Sequence, residues 1–115
     1  MLSLILVILV AAIHLYFLYL EMFRWEAPRT QRIFGLTPEL AAQTRAMAAN
    51  QGFYNGIVGI GLYVAVFTLN GPMVIYLLCA VVLAGLYAVY WGIRPALYVQ
   101  SLPAALALVA LWIGI

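Results

Sequence analysis

Charge is what this sequence has least of. Its 115 residues include five basic and three acidic side chains, 7% in all, where a soluble domain carries roughly 25%. Eight charged groups cannot build the polar shell that water demands, and 69% of the chain is hydrophobic. Lipid is therefore the expected solvent. Cysteine is nearly missing too: Cys79 is single, which excludes an intramolecular disulfide and any multi-cysteine metal or redox centre within one chain. A small apolar core residue is the expected role for it. No Lys or Arg precedes the first largely apolar run, which continues to Arg24. That run reads as a membrane helix and not as a secretory leader. There is no internal repeat or low-complexity linker, no nucleophile paired to a base, no glycine-rich phosphate cradle and no multidentate metal motif. No metal is expected, and no cofactor is defined. The net charge of +2 comes from arginines flanking apolar runs, which gives nucleic acid no basic domain to bind.

What is present is apolar sequence in helix-length pieces. A span takes about 20 apolar residues, so the chain has room for four, and the expected fold is all-α. It is a single domain, 1–115, forming an antiparallel four-transmembrane-helix bundle with helices at about 2–25, 45–69, 73–91 and 96–115. Pro28 is expected to end the first helix. Thr37-Pro38-Glu39 reads as an N-cap, a first-turn proline and a first-turn acid. A helix should therefore start at Pro38 in water and enter the membrane near Arg45. Asn70-Gly71-Pro72 is a turn joining antiparallel neighbours. Gly92 to Pro95 interrupts the pattern again.

The arginines set the orientation. Arg24, Arg29, Arg32 and Arg45 flank the first connection, Arg94 lies in the third, and the second carries no charge. By the positive-inside rule the connections 26–44 and 92–95 are cytoplasmic and both termini are outside. The expected location is a multi-pass protein of the cell (inner) membrane. Gly52 and Gly56 form a GxxxG, and Ala80, Ala84 and Ala88 repeat at the same spacing. Such rows serve close packing within a chain and homo-oligomer contacts equally well.

Polar groups inside the apolar layer are costly unless they face partners or water. His14, Glu21, Asn50, Gln51, Asn55 and Gln100 are the candidates. With Arg24, Arg45 and Arg94 set at one level, Glu21 lies about 5 Å deep and Asn50, Gln51 and Gln100 about 8–9 Å. His14 and Asn55 then share a height about 15 Å deep. His14, Leu18, Glu21 and Trp25 follow the helical pattern that puts them on one face. His14 and Glu21 are about 10 Å apart along the axis, so any partner must come from another helix. Two roles are open for each residue. Gln51, Asn55 and Gln100 either tie helices together or line a polar cavity. Glu21 either pairs with Arg24 or another arginine at the interface or exchanges a proton or cation. His14 is either a neutral imidazole held by a hydrogen bond from the second helix or a proton-carrying or ligand-binding group. Tyr54, Tyr87, Tyr90, Trp91 and Tyr98 mostly form an interfacial belt, with Trp25, Tyr54 and Tyr87 the candidates for a ligand wall.

The runs HLYFLYLEMFRWEAPR at His14 to Arg29, NQGFYNG at Asn50 to Gly56 and QSLPA at Gln100 to Ala104 resemble the family catalogued as domain of unknown function 1304. The resemblance implies a small four-span membrane protein with motif positions at His14, Tyr16, Glu21, Trp25, Glu26, Asn50, Gln51, Tyr54, Asn55, Gln100 and Pro103. It implies no particular activity, but it groups the residues of the polar layer. Small multidrug resistance transporters are similar in length and span count, yet their motifs do not match.

The leading functional expectation is a cytoplasm-facing polar intramembrane site that binds a small molecule and moves it with proton coupling. Glu21 and His14 would be its protonatable elements, with Asn50, Gln51, Asn55 and Gln100 their partners. Two other classes compete. One is a membrane enzyme using His14 or Glu21 as general acid or base on a lipid-soluble substrate such as a quinone or isoprenoid. The other is an accessory subunit whose polar layer only specifies packing. No catalytic residue is assigned.

Overall fold

The computed structural model describes all 115 residues and contains only helices and their connections. Helix α1, Leu2–Phe23, is the first apolar run. It ends at Phe23, two residues before the expected end at Trp25, and Pro28 does not end it. Pro28 instead occupies the first turn of a short helix, α2, Pro28–Phe34, where its fixed φ fits and its missing N–H is not needed. Gly35 closes α2 in the left-handed conformation at φ 66°, which glycine adopts without steric cost. The long helix α3, Pro38–Phe67, starts where its cap signal places it, with the Thr37 hydroxyl accepting the Leu40 N–H at 3.1 Å. Helix α4, Gly71–Tyr90, begins two residues earlier than expected because Asn70 caps it, accepting the Met73 N–H at 3.1 Å.

The last segment departs most from expectation. In place of one helix over 96–115, a π-helical turn at Leu97–Ser101 leads into α5, Leu102–Ile113. The Leu102 N–H reaches back five residues to the Leu97 carbonyl. Pro103 supplies the cause: it has no N–H, and its ring would strike the carbonyl four residues earlier, so a widened turn carries the chain past it.

Helices α1 and α3 run antiparallel in close contact. Gly52, Gly56 and Gly59 recur at the four- and three-residue spacing of one helix face and are all buried. A β-carbon at Gly59 would sit 2.9 Å from the Ala11 carbonyl oxygen, and one at Gly52 would sit 2.9 Å from Cβ of Glu21. The GxxxG thus serves contact within the chain. Ala80 and Ala84, by contrast, face outward from α4. Val7, Val10, Leu62, Leu78, Val81 and Ala107 meet in one core to which α1, α3, α4 and α5 all contribute. Cys79 is exposed on α4, not buried in that core. The chain ends meet, the Met1 ammonium donating to the Ile115 carbonyl at 2.8 Å. The termini and the Asn70 turn therefore lie at one end of the molecule, and the segments holding all five arginines lie at the other.

Two helices, Leu2–Phe23 and Gly71–Tyr90, are long and apolar enough to cross a membrane, and Leu97–Ile113 is apolar but shorter. Large apolar side chains such as Ile60, Leu83, Phe67 and Leu106 cover the outside.

Candidate functional site

Glu21 belongs to the apolar stripe of α1, on the face that packs against the glycines of α3. Because Gly52 has no side chain, the two backbones approach closely enough to bury the carboxylate, which is 2% exposed. The flanking amides of α3 close on it from both sides. Gln51 Nε2 donates to Oε2 at 2.7 Å, and Asn55 Nδ2 donates to Oε1 at 2.6 Å. Residues 51 and 55 sit one turn apart, so a single helix face grips both oxygens. Amides from the neighbouring helix, and not Arg24, meet the Glu21 carboxylate. Asn55 is half-buried, whereas Gln51 is exposed, which makes Gln51 the outer wall of the site.

His14 is also buried, at 3% exposure, but it stands apart. Its Nδ1 lies 2.8 Å from the Val10 carbonyl of its own helix, a local bond that fixes the ring without a second helix. The expected height match between His14 and Asn55 fails. Gly52, not a residue nearer Arg45, packs opposite Glu21. Arg45 is seven residues from Gly52 and Arg24 three from Glu21, so Arg45 lies about 6 Å further out than Arg24. The assumption of one arginine level displaced α3 by a turn and left Asn55 looking too deep.

Asn50 is exposed and makes no side-chain hydrogen bond to the protein, so it lies outside the Glu21 cluster. Gln100 is half-buried, with its Cβ against Gly85 of α4, and it donates nothing to Glu21. Its neighbour Ser101, absent from the sequence-based candidates, carries the polar contact of that segment, with Oγ donating to the Val82 carbonyl at 2.9 Å. A serine beside a π-turn-forming proline was the available signal. Of the proposed wall residues, Tyr54 and Tyr87 point outward. Tyr87 packs with Tyr90 and Trp91 as an exposed aromatic group. Trp25 is half-buried, donates Nε1–H to Thr44 Oγ1 at 3.1 Å and packs on Phe34 at 5.0 Å between ring centres. It fastens α1, α2 and α3 together below the carboxylate. No group of three or more metal-binding side chains occurs.

Chemically, the site is one carboxylate gripped by two neutral donors. Each amide has a carbonyl oxygen in addition to its N–H₂, so the same pair can serve an ionised or a protonated carboxyl by turning over.

Comparison with known proteins adds the lineage. The family model described as Protein of unknown function (DUF1304) matches residues 8–112. The "Uncharacterized protein YpaA" of Lactococcus lactis subsp. lactis (strain IL1403) is 33% identical over 113 residues, covering 95% of each chain. No solved structure matches the chain.

Proposed function

The chain belongs to the family described as Protein of unknown function (DUF1304), and from that premise we propose a four-span membrane protein in which Glu21 exchanges a proton for a small cationic molecule. Besides the two long apolar helices, α3 offers 22 residues from Ala46 to Phe67 with no charge. Leu97 to Ile113 would form a short span of about 25 Å, bounded by exposed Tyr98 and Trp112, the aromatic anchors that an interface favours. With all arginines at one end, that end faces the cytoplasm and the termini face outward.

The observation that carries the exchange reading is the burial of Glu21 with an amide on each oxygen and no cation beside it. An unpaired carboxylate charge held in hydrocarbon costs several kcal/mol, so a proton or a bound cation must compensate it. The two compete for one position. Gln51, exposed on its outer side, is the group that must swing for either to arrive. Moving the ligand across the membrane would require a second opening toward the termini, and the buried apolar core of Val7, Val10 and Leu62 lies in that direction.

Difference infrared spectroscopy of the protein in lipid tests this reading. A protonated-carboxyl band should appear on acidification, vanish in Glu21→Gln, and shrink when butylammonium is added at constant pH. A Glu21 band indifferent to butylammonium would leave the amide clamp as a purely structural tie.

A further inference from the structure

At the arginine-rich end, below the Glu21 clamp, a separate cavity of about 280 Å³ opens where α1 gives way to α2. Met22, Phe23, Arg24, Trp25 and Glu26 line one side of it, and Arg45, from the first turns of α3, lines the other. Arg24 and Arg45 are 21 residues apart in sequence, and the antiparallel contact of α1 with α3 brings them to one pocket. Neither guanidinium hydrogen-bonds a carboxylate, and Glu26 spends its main-chain carbonyl on the Gln31 amide at 3.0 Å. The link between the helices also leaves donors free: neither Trp25 nor Glu26 gives its main-chain N–H to a protein acceptor. The residues that line the pocket thus carry two unpaired guanidinium groups against one carboxylate, two main-chain N–H groups without a protein acceptor, and the apolar side chains of Met22 and Phe23.

We propose that this cavity binds the phosphodiester headgroup of a membrane glycerophospholipid, with Arg24 and Arg45 on the phosphate oxygens and the acyl chains lying along Met22 and Phe23. The inference rests on the membrane location proposed above. Guanidinium groups suit phosphate because their fork of N–H donors matches its oxygens. The net charge of the three ionic side chains, two positive and one negative, is balanced by the single negative charge of a phosphodiester. The lipid would also hold the α1–α2 corner against α3, just outside the residues that grip Glu21.

Native mass spectrometry with dioleoylphosphatidylglycerol as the probe tests the site. The wild-type protein should retain one lipid through detergent exchange, and Arg24→Ala/Arg45→Ala should lower its occupancy at least tenfold. Arg94→Ala, outside the cavity, should leave it unchanged. Arg24→Lys/Arg45→Lys, which keeps the charge and changes the surroundings least, should retain an intermediate amount. Dioleoylglycerol, lacking phosphate, should not compete, and neither should inorganic phosphate at millimolar concentration. Equal lipid retention by wild type and the double alanine variant, or displacement by either competitor, would overturn the assignment. Carbonate extraction of native membranes separates this failure from that of the membrane reading. Protein released into the supernatant refutes the location, whereas protein kept in the pellet with arginine-independent lipid refutes only the site.

Discussion

Asn55 of α3 donates its amide to Glu21 of α1 at 2.6 Å, joining residues 34 apart in sequence. A neutral donor thus holds the most buried acid of the protein. The bond should appear as an energetic coupling between the two positions. Asn55→Ala leaves one carboxyl oxygen unserved, and Glu21→Gln leaves two amide N–H₂ groups facing one another unless one turns over. Interhelical polar pairs of this kind couple by about 1 kcal/mol. A double-mutant cycle read by unfolding in mixed detergent micelles should return that value, and strictly additive losses would show that the contact contributes nothing to folding.

The glycine face gives a sharper test because neighbouring glycines should respond differently. A methyl group at Gly59 meets the Ala11 carbonyl oxygen at 2.9 Å and Leu15 Cγ at 3.0 Å. A backbone oxygen cannot step aside unless the helices separate. Gly59→Ala should therefore cost about 1–3 kcal/mol, the range for overpacking. At Gly61 the nearest atom is the mobile tip of Leu77, at 3.3 Å. There the better helix propensity of alanine, about 1 kcal/mol, should offset the crowding, and thermal unfolding in detergent should rank Gly61→Ala well above Gly59→Ala.

These pairings also mark where sequence reasoning reached and where it stopped. The caps at Thr37 and Asn70 and the apolar runs were legible because they depend on residues within a few positions of one another. The stripe from His14 to Glu21 was legible from helical periodicity alone. The partner of Glu21 was not, because it depends on the axial offset between α1 and α3. That offset is set by how the glycines seat against Ala11, Leu15 and Leu18, and the arginines do not mark it. A one-turn error there was enough to match Asn55 with His14. Asn50 entered the candidate set by depth, yet its place on the helix wheel, one position from Gln51, turns it away from α1. The π-turn before Pro103 was hidden because proline announces an interruption without saying how the chain accommodates it.

The π-turn supplies a third prediction. Gly85 of α4 lies against Ser101, where an added methyl would overlap Oγ and come within 3.0 Å of the main-chain nitrogen. Gly85→Ala should therefore destabilise. Ser101→Ala alone should cost less than about 1 kcal/mol, since it gives up one hydrogen bond to a carbonyl that helix α4 already uses. Combining them removes the hydroxyl that the new methyl strikes but leaves the nitrogen in place. The double variant should be more stable than the sum of the single losses and less stable than wild type, as measured by the same micellar unfolding assay.

The four crossings proposed above make a prediction about the ends of the chain. Met1 touches Ile115, and both lie at the end of the molecule that carries the Asn70 turn, so an even number of crossings is required if the arginine end faces the cytoplasm. In a Cys79→Ala background, Thr68→Cys and Ile115→Cys should react with a membrane-impermeant maleimide applied to intact cells, and Arg32→Cys should react only after the membrane is opened. Ile115→Cys labelled from the side opposite Thr68→Cys would refute four crossings. The native cysteine adds an independent reading, because Cys79 is exposed on the protein surface yet sits eight residues beyond Gly71, the first residue of α4, about 12 Å from the helix start. Surrounded by water, such a thiol would react readily with the reagent. Surrounded by acyl chains, it should stay unmodified in the native protein and become reactive only on denaturation, so its behaviour distinguishes a lipid-covered helix from a merely apolar one.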